Sequence, residues 1–400
     1  MYFLSLGLSL VGNSMAGVAL PVLVLVSTGE PLMAGVVAVA TGVSTVLSGI
    51  LSAAWIDSVD KRYVSAIGDL VSAAGVGIVA ASAFVGEPSV TVFVIGAFIG
   101  GLGDMPAWNS REAMIYAVAR SSGRQLDTLV GIREAISGLA IVIGPTAAGI
   151  LMGWLDARSV LTVTVCTSLA AAATVMFGPA ARSTPEEHEP GRLGVRAFVD
   201  SARMIAGDGY AVLRRIMGIN VVSVGIVGVL QGLIIPVVFT LSGRAHLSGY
   251  ALAFIGLGLL LGGGLYAAFA SRMRGRPILL GVIAVNCASL LVLVTTHVTW
   301  VLFLGCAVFG MTSSVFGAKV GVLSLALSPE SHRGRINGFQ NTASMVVTPI
   351  AVFLAALAVS RSSVTAVGIA IVVAWAAANL LFVLSRRVGR ALSEPSAPSA

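Results

Sequence analysis

Charge is what this sequence has least of. Its 24 basic and 17 acidic side chains make 41 in 400 residues, about a tenth of the chain, where soluble globular domains carry roughly a quarter. So few charges cannot cover a surface that faces water. A soluble enzyme is excluded, and so is a soluble enzyme hung on one anchor helix. The three cysteines, Cys166, Cys287 and Cys306, form no pair and no CxxC spacing, so no disulfide framework and no metal site is expected. They read as small apolar fillers. The four histidines, His188, His246, His297 and His332, sit in loops or at the ends of apolar runs with no HExxH, and no glycine-rich loop ends in GK[ST]. The histidines thus offer no ligand set for an intramembrane enzyme, ATP-driven work by this chain itself is excluded, and no cofactor is expected. The net charge of +7 comes with no basic stripe interleaved with aromatics, so nucleic acid is not an expected partner.

What is present is apolar length: 57% of the residues are hydrophobic and mean hydropathy is +0.98. A membrane span takes about 20 such residues, which leaves room for roughly a dozen. Apolar runs between charged or Pro/Gly/Ser-rich breaks fall at about 2–26, 32–56, 63–86, 90–110, 128–152 and 159–180, then 212–240, 248–270, 277–296, 299–327, 336–358 and 363–385. Six precede the most polar stretch and six follow it. That stretch, Ala181 to Tyr210, holds nine charged residues with Pro185 and Pro190 and reads as a soluble linker. Its Val195–Ile205 part suits a short amphipathic helix on the membrane surface. The predicted organisation is an all-α polytopic membrane protein: a six-helix bundle over 1–180, a linker over 181–211, a second bundle over 212–385 and a disordered tail over 386–400. No charge precedes Glu30, and no basic run or A-x-A pattern stands before Pro21. A cleaved signal peptide is not expected, and a short N-terminal tail is expected to be missing.

Orientation follows from the basic residues, which stay on the cytoplasmic side. Loops after even-numbered spans, the linker with Arg214 and Arg215, and the tail hold 19 Lys and Arg; loops after odd-numbered spans hold three, Arg158, Arg244 and Arg361. Both termini and the linker are therefore expected in the cytoplasm, with the spans in the cell membrane. Trp55, Trp108, Trp154 and Trp300 fall near expected span ends, as an interfacial belt requires, whereas Trp375 falls mid-span.

The halves repeat one another. Ala53 to Arg62 follows span 2, and Ala267 to Arg276 follows span 8; each is a tight basic turn at the same place in its half. Two six-span repeats imply two bundles with a substrate site near the bilayer midplane. These residues resemble the major facilitator superfamily over almost the whole chain. The turn from Gly49 to Arg62 is similar to its cytoplasmic loop motif, with Asp57 at the acidic position and Lys61 and Arg62 at the basic ones. The second copy keeps Arg272, Arg274 and Arg276 but has Ser271 where the acid would stand. Span 5 resembles the antiporter motif in Gly131, Gly144-Pro145 and Gly149, with alanine at two of the usual glycines. Within the superfamily the chain is most similar to bacterial exporters of the enterobactin exporter type and their drug-efflux relatives. The resemblance implies a gating role for the basic turns, which would latch helix ends in one alternating-access state. It also implies a small-residue face on span 5 that lets the bundles rock.

Ionisable residues inside spans are costly in hydrocarbon, so each is expected to face a cavity or a partner. Asp104 stands seven residues before Arg111, about 10 Å inside the expected end of span 4. Arg133 stands at a similar depth in span 5, so the two are expected to pair. Glu134 is turned about 100° from Arg133 and needs another partner or water. Asp104 and Glu134 are the two candidate protonation sites, and Glu134 is the better of them if Arg133 holds Asp104. Lys319 is a single cation in span 10, and Asn13, Asn220, Gln231, Gln340 and Asn341 are candidate cavity-lining residues. The expected function is a monomeric secondary transporter that exports a small amphipathic organic compound, driven by proton entry through family resemblance. A non-transporting sensor or scaffold is the alternative, as is an importer of the same superfamily.

Overall fold

In a computed structural model the chain is described over residues 1–56, 59–177, 202–207, 210–269, 276–296, 298–329 and 333–385. Twelve helices of membrane-spanning length and composition account for nearly all of it. They are α1 (Tyr2–Thr28), α2 (Pro31–Ile56), α3 (Lys61–Val85), α4 (Val90–Ser122), α5 (Leu126–Trp154) and α6 (Ala157–Phe177). After the linker come α7 (Ala211–Leu241), α8 (Leu247–Phe269), α9 (Arg276–Thr295), α10 (Thr299–Leu327), α11 (Arg333–Arg361) and α12 (Val364–Leu384). Residues 202–206 form one further helical turn. The rest of the expected linker helix lies outside the described residues, as do Asp57, Arg272, Arg274 and the tail.

Helix ends follow local chemistry. The Asp60 carboxylate accepts from the Arg62 backbone N–H at 3.1 Å and starts α3, while Ser89 and Ser363 cap α4 and α12 in the same way. Gly29 and Gly123 end α1 and α4 in the left-handed region, at φ 68° and 64°, where a side chain would be strained. Pro236 removes one amide and crowds the carbonyl four residues back. The strain falls on α7 as a π-helical turn at Leu230–Ile234.

The described helices group into two compact units. The first joins α1–α6 with Gln231–Ala253 and Val352–Ser360. Within it α3 packs on α4 and α6, α1 on α5 and α6, and α2 on α4. The second holds the rest of α7, α8 and α11 with α9, α10 and α12, and there α9 lies against α10 and α12. Glycine sets the closest of these approaches. A Cβ on Gly68 would stand 2.7 Å from the Gly103 carbonyl oxygen and 2.8 Å from the Ala107 nitrogen, and one on Gly75 would strike Gly96 and Gly100. With no side chains between them, α3 and α4 meet backbone to backbone. Short polar side chains on α3 can therefore reach α4.

The twelve-span expectation holds, and one boundary matters for function. The sequence pattern ends span 4 at 110, but α4 runs on to Ser122, with Arg111 2% exposed inside it. The charges at Arg111 and Glu112 are satisfied by neighbouring helices and do not end the helix. Trp108 consequently lies mid-helix and half-buried, away from any belt, whereas Trp154 and Trp300, 83% and 76% exposed at helix ends, suit one.

A two-layer polar site on α1, α3 and α4

Three helices of the first unit each contribute to two polar layers. Ser9 and Asn13 lie one turn apart on α1, Asp69 and Ser72 on α3, and Asp104 and Arg111 lie two turns apart on α4. The first layer is an ion pair sealed from solvent, with side chains 2% and 3% exposed. Arg111 Nη1 donates to Asp69 Oδ1 at 3.2 Å, and Arg111 Nη2 pairs with Asp69 Oδ2. Two α1 hydroxyls complete the layer: Arg111 donates to Ser9 Oγ at 3.2 Å and to Ser5 Oγ at 3.0 Å, and Ser9 donates to Asp69 at 3.0 Å. Tyr2 then donates to the Arg111 backbone carbonyl at 2.9 Å. Every charge in this layer is matched, and it binds α1, α3 and α4 together.

The second layer is different in kind. Asp104 accepts from Ser72 Oγ at 2.8 Å and from Asn13 Nδ2 at 3.4 Å, both neutral donors on the same oxygen, Oδ1. No ion pair among the described residues includes it. It is only half-buried, fourteen residues from Val90, which is about 21 Å along the helix. That is near the middle of α4, whose 33 residues run about 50 Å.

The expected Asp104–Arg133 pair does not form. Arg133 bonds Glu112 at 2.7 Å and Glu134 at 2.5 Å. The cause is the length of α4: Arg133 matches Glu112 in depth, eight residues beyond Asp104, about 12 Å. Glu134, turned away from Arg133 in an ideal helix, does not need the separate partner that the helical angle implies. At 63% side-chain exposure it is free to curl along the helix surface to its neighbour. Of the other candidates, Lys61 begins α3, Arg62 pairs with Asp60 at 3.0 Å, and Arg276 donates to the Ser385 carbonyl at 3.0 Å. Asn220, Gln231, Gln340 and Lys319 are half-buried and Asn341 is exposed.

On α5, a Cβ on Gly144 would strike Ser14 of α1, and one on Gly149 would stand 3.0 and 3.1 Å from backbone atoms of His246 and Tyr250, at the start of α8. Gly131 faces open space and takes no part in this packing.

The second unit carries an uncharged counterpart. Ser313 stands fourteen residues after Thr299 on α10, as Asp104 stands fourteen after Val90 on α4. Asn286 of α9 donates to Ser313 Oγ at 3.0 Å and to Thr312 Oγ1 at 2.9 Å, while its own oxygen accepts from Trp375 Nε1 at 2.8 Å. This explains a tryptophan buried mid-span at 5% exposure.

A twelve-span helical protein with a carboxylate held mid-helix by neutral donors, beside an internally matched ion pair, is a membrane transporter in architecture. The chain belongs to the Major Facilitator Superfamily, whose profile it matches over residues 2–352. It is 27% identical over 354 residues to the multidrug efflux pump Tap of Mycolicibacterium fortuitum, covering 86% of this chain and 85% of the relative. It is 25% identical over 355 residues to Tap of Mycobacterium tuberculosis, covering 86% and 83%. Among solved structures, the nucleoside transporter NupG superposes with a TM-score of 0.70 at 12% identity, covering 98% of this chain and all of the other. That similarity speaks to fold alone.

Proposed function

We propose that this chain is a proton-coupled exporter of small amphipathic organic compounds, working by alternating access in the plasma membrane with both termini cytoplasmic and without catalysing a chemical change. Export and cargo class rest on similarity to pumps named for multidrug efflux. Sidedness rests on the 19-to-3 division of basic residues. Two halves, 1–180 and 212–385, would rock about the linker. The turn at Asp57, Lys61 and Arg62, and its copy at Arg272, Arg274 and Arg276, would latch one state.

The observation that carries the coupling is the environment of Asp104. Asp69 is tied to the Arg111 guanidinium and Glu134 to that of Arg133, so both are already taken up in ion pairs. Asp104 bonds only neutral donors and keeps one oxygen open. Of the two candidate acids, Asp104 is therefore the proton carrier. The experiment is accumulation of an amphipathic fluorescent dye by cells of a strain lacking its own pumps. Asp104→Asn should abolish efflux that collapses with the proton gradient, and Glu134→Gln should retain it. The reverse pattern would give the role to Glu134.

A further inference from the structure

We infer that Arg215 and Arg276, at the end of the second unit where α7, α9 and α12 meet, hold the headgroup of an anionic phospholipid. The inference is independent of what the chain exports. Between Ala211 and Ser385 the sequence has ten Lys and Arg but one carboxylate, Glu330, and the described residues of the second unit contain no Asp or Glu. The guanidiniums at this end bond neutral oxygens only. Arg215, near the start of α7, donates from Nη1 to the Ser385 hydroxyl at 2.6 Å, and Arg276, at the start of α9, donates from Nη2 to the Ser385 carbonyl at 3.0 Å. Two cations from two helices thus converge on one residue at the end of α12.

Capping the end of α12 accounts for only one nitrogen of each arginine, and a guanidinium has five N–H donors. Arg215 is exposed. Arg276 Nε is buried without a partner, but its Nη1, also unbonded, is not among the buried atoms and lies open. The open donors suit a guest that brings acceptors and negative charge, and a phosphate shared by two guanidiniums is such a group. Arg214 differs, since its Nη1 is spent on the Ile205 and Ala206 carbonyls at 3.2 and 2.7 Å. The surroundings select a lipid over a soluble phosphate. Leu384, beside Ser385, is 60% exposed, and Leu381, one turn before it, 76%; on a spanning helix such a face lies against acyl chains, with the arginines at its rim. A zwitterionic headgroup also brings a cation, and no described acid stands there to receive it. A headgroup of net negative charge therefore fits best, and its phosphate would fasten α7 to α9 across the end of α12.

The test offers purified full-length protein, in an uncharged detergent, equal amounts of phosphatidylglycerol and phosphatidylcholine with matched acyl chains, and counts the lipids retained by native mass spectrometry. The first lipid held should be phosphatidylglycerol, by about tenfold or more. An arginine near the surface is worth about fivefold toward an anionic lipid. Arg215→Gln and Arg276→Gln should each cut the preference by about that factor, whereas Arg124→Gln, which removes an exposed cation of the first unit, should leave it unchanged. Arg215 is exposed, so the test does not depend on Arg276→Gln folding. Glycerol 3-phosphate at about 10 mM should not displace the lipid. Equal retention of the two lipids, an undiminished preference in Arg215→Gln or in folded Arg276→Gln, or an equal loss in Arg124→Gln would overturn the site. Displacement by glycerol 3-phosphate would overturn the lipid as its occupant and leave a site for soluble phosphate.

Discussion

Arg111→Met removes one half of a buried ion pair, and the structure sets the size of the effect. The guanidinium bonds Asp69 twice and Ser5 and Ser9 once each, at 2% exposure. Without it the Asp69 carboxylate keeps only the Ser9 hydroxyl, in a place water does not reach. Breaking a buried pair in this way costs about 3–5 kcal/mol, whereas replacing both partners by apolar groups is often near neutral. Asp69→Leu should cost as much, since it strands the Arg111 charge instead. The double variant should recover most of the loss, leaving a coupling of about 2 kcal/mol or more. The assay is reversible unfolding of purified protein in mixed micelles, followed by helical signal as the fraction of denaturing detergent rises. Costs below about 1 kcal/mol for either single variant, or losses that simply add in the double, would refute a pair that fastens α1, α3 and α4.

Three further outcomes are open to the same apparatus. Gly75→Val should force α3 from α4, because its side chain meets Gly96 and Gly100 backbone; the expected loss is about 1–3 kcal/mol, whereas Gly17→Ala, in open space, should be neutral or stabilising. Trp375→Phe should cost about 1–3 kcal/mol by leaving the Asn286 oxygen buried without its donor, and wild-type stability would deny that bond any weight. Asp156, in the turn before α6, is pushed up by partial burial, but bonds from Ser159 and the Arg158 guanidinium outweigh this and leave its carboxyl below the usual range. A lowered folded-state pKa stabilises above the unfolded value and is lost as pH falls through the folded one; Asp156→Ala should therefore cost about 0.5–1 kcal/mol at neutral pH and nothing at strongly acidic pH, and a gap that widens with acid would contradict it.

Hydropathy suffices for twelve spans because lipid demands about 20 apolar residues per crossing whatever the packing. The site is less legible, and for a physical reason. Reading Arg111 and Glu112 as the end of span 4 assumes that charges lie in water. Here α3 and α5 supply their partners, and the helix continues. That one boundary misplaces Asp104 by several turns, matches it with Arg133 and turns Trp108 into a belt residue. Asp69 stands inside the third expected span as an acid in hydrocarbon, the same signal that singles out Asp104. Its partner is hidden in the sequence, because the pairing depends on the glycine contact at Gly68 and Gly103, which fixes the register of α3 on α4. Asn13 is legible as a polar residue in a span; its role needs the coordinates of three helices.

The most direct test of Asp104 as the proton carrier is proton movement driven by cargo in proteoliposomes. Purified protein is sealed in vesicles with a pH dye inside, no pH gradient is applied, and a gradient of the amphipathic dye exported in cells is imposed. The wild type should move protons opposite to the cargo, and Asp104→Asn should exchange labelled for unlabelled cargo while moving none. Proton movement by Asp104→Asn at the wild-type rate, or cargo movement by the wild type without protons, would contradict the assignment.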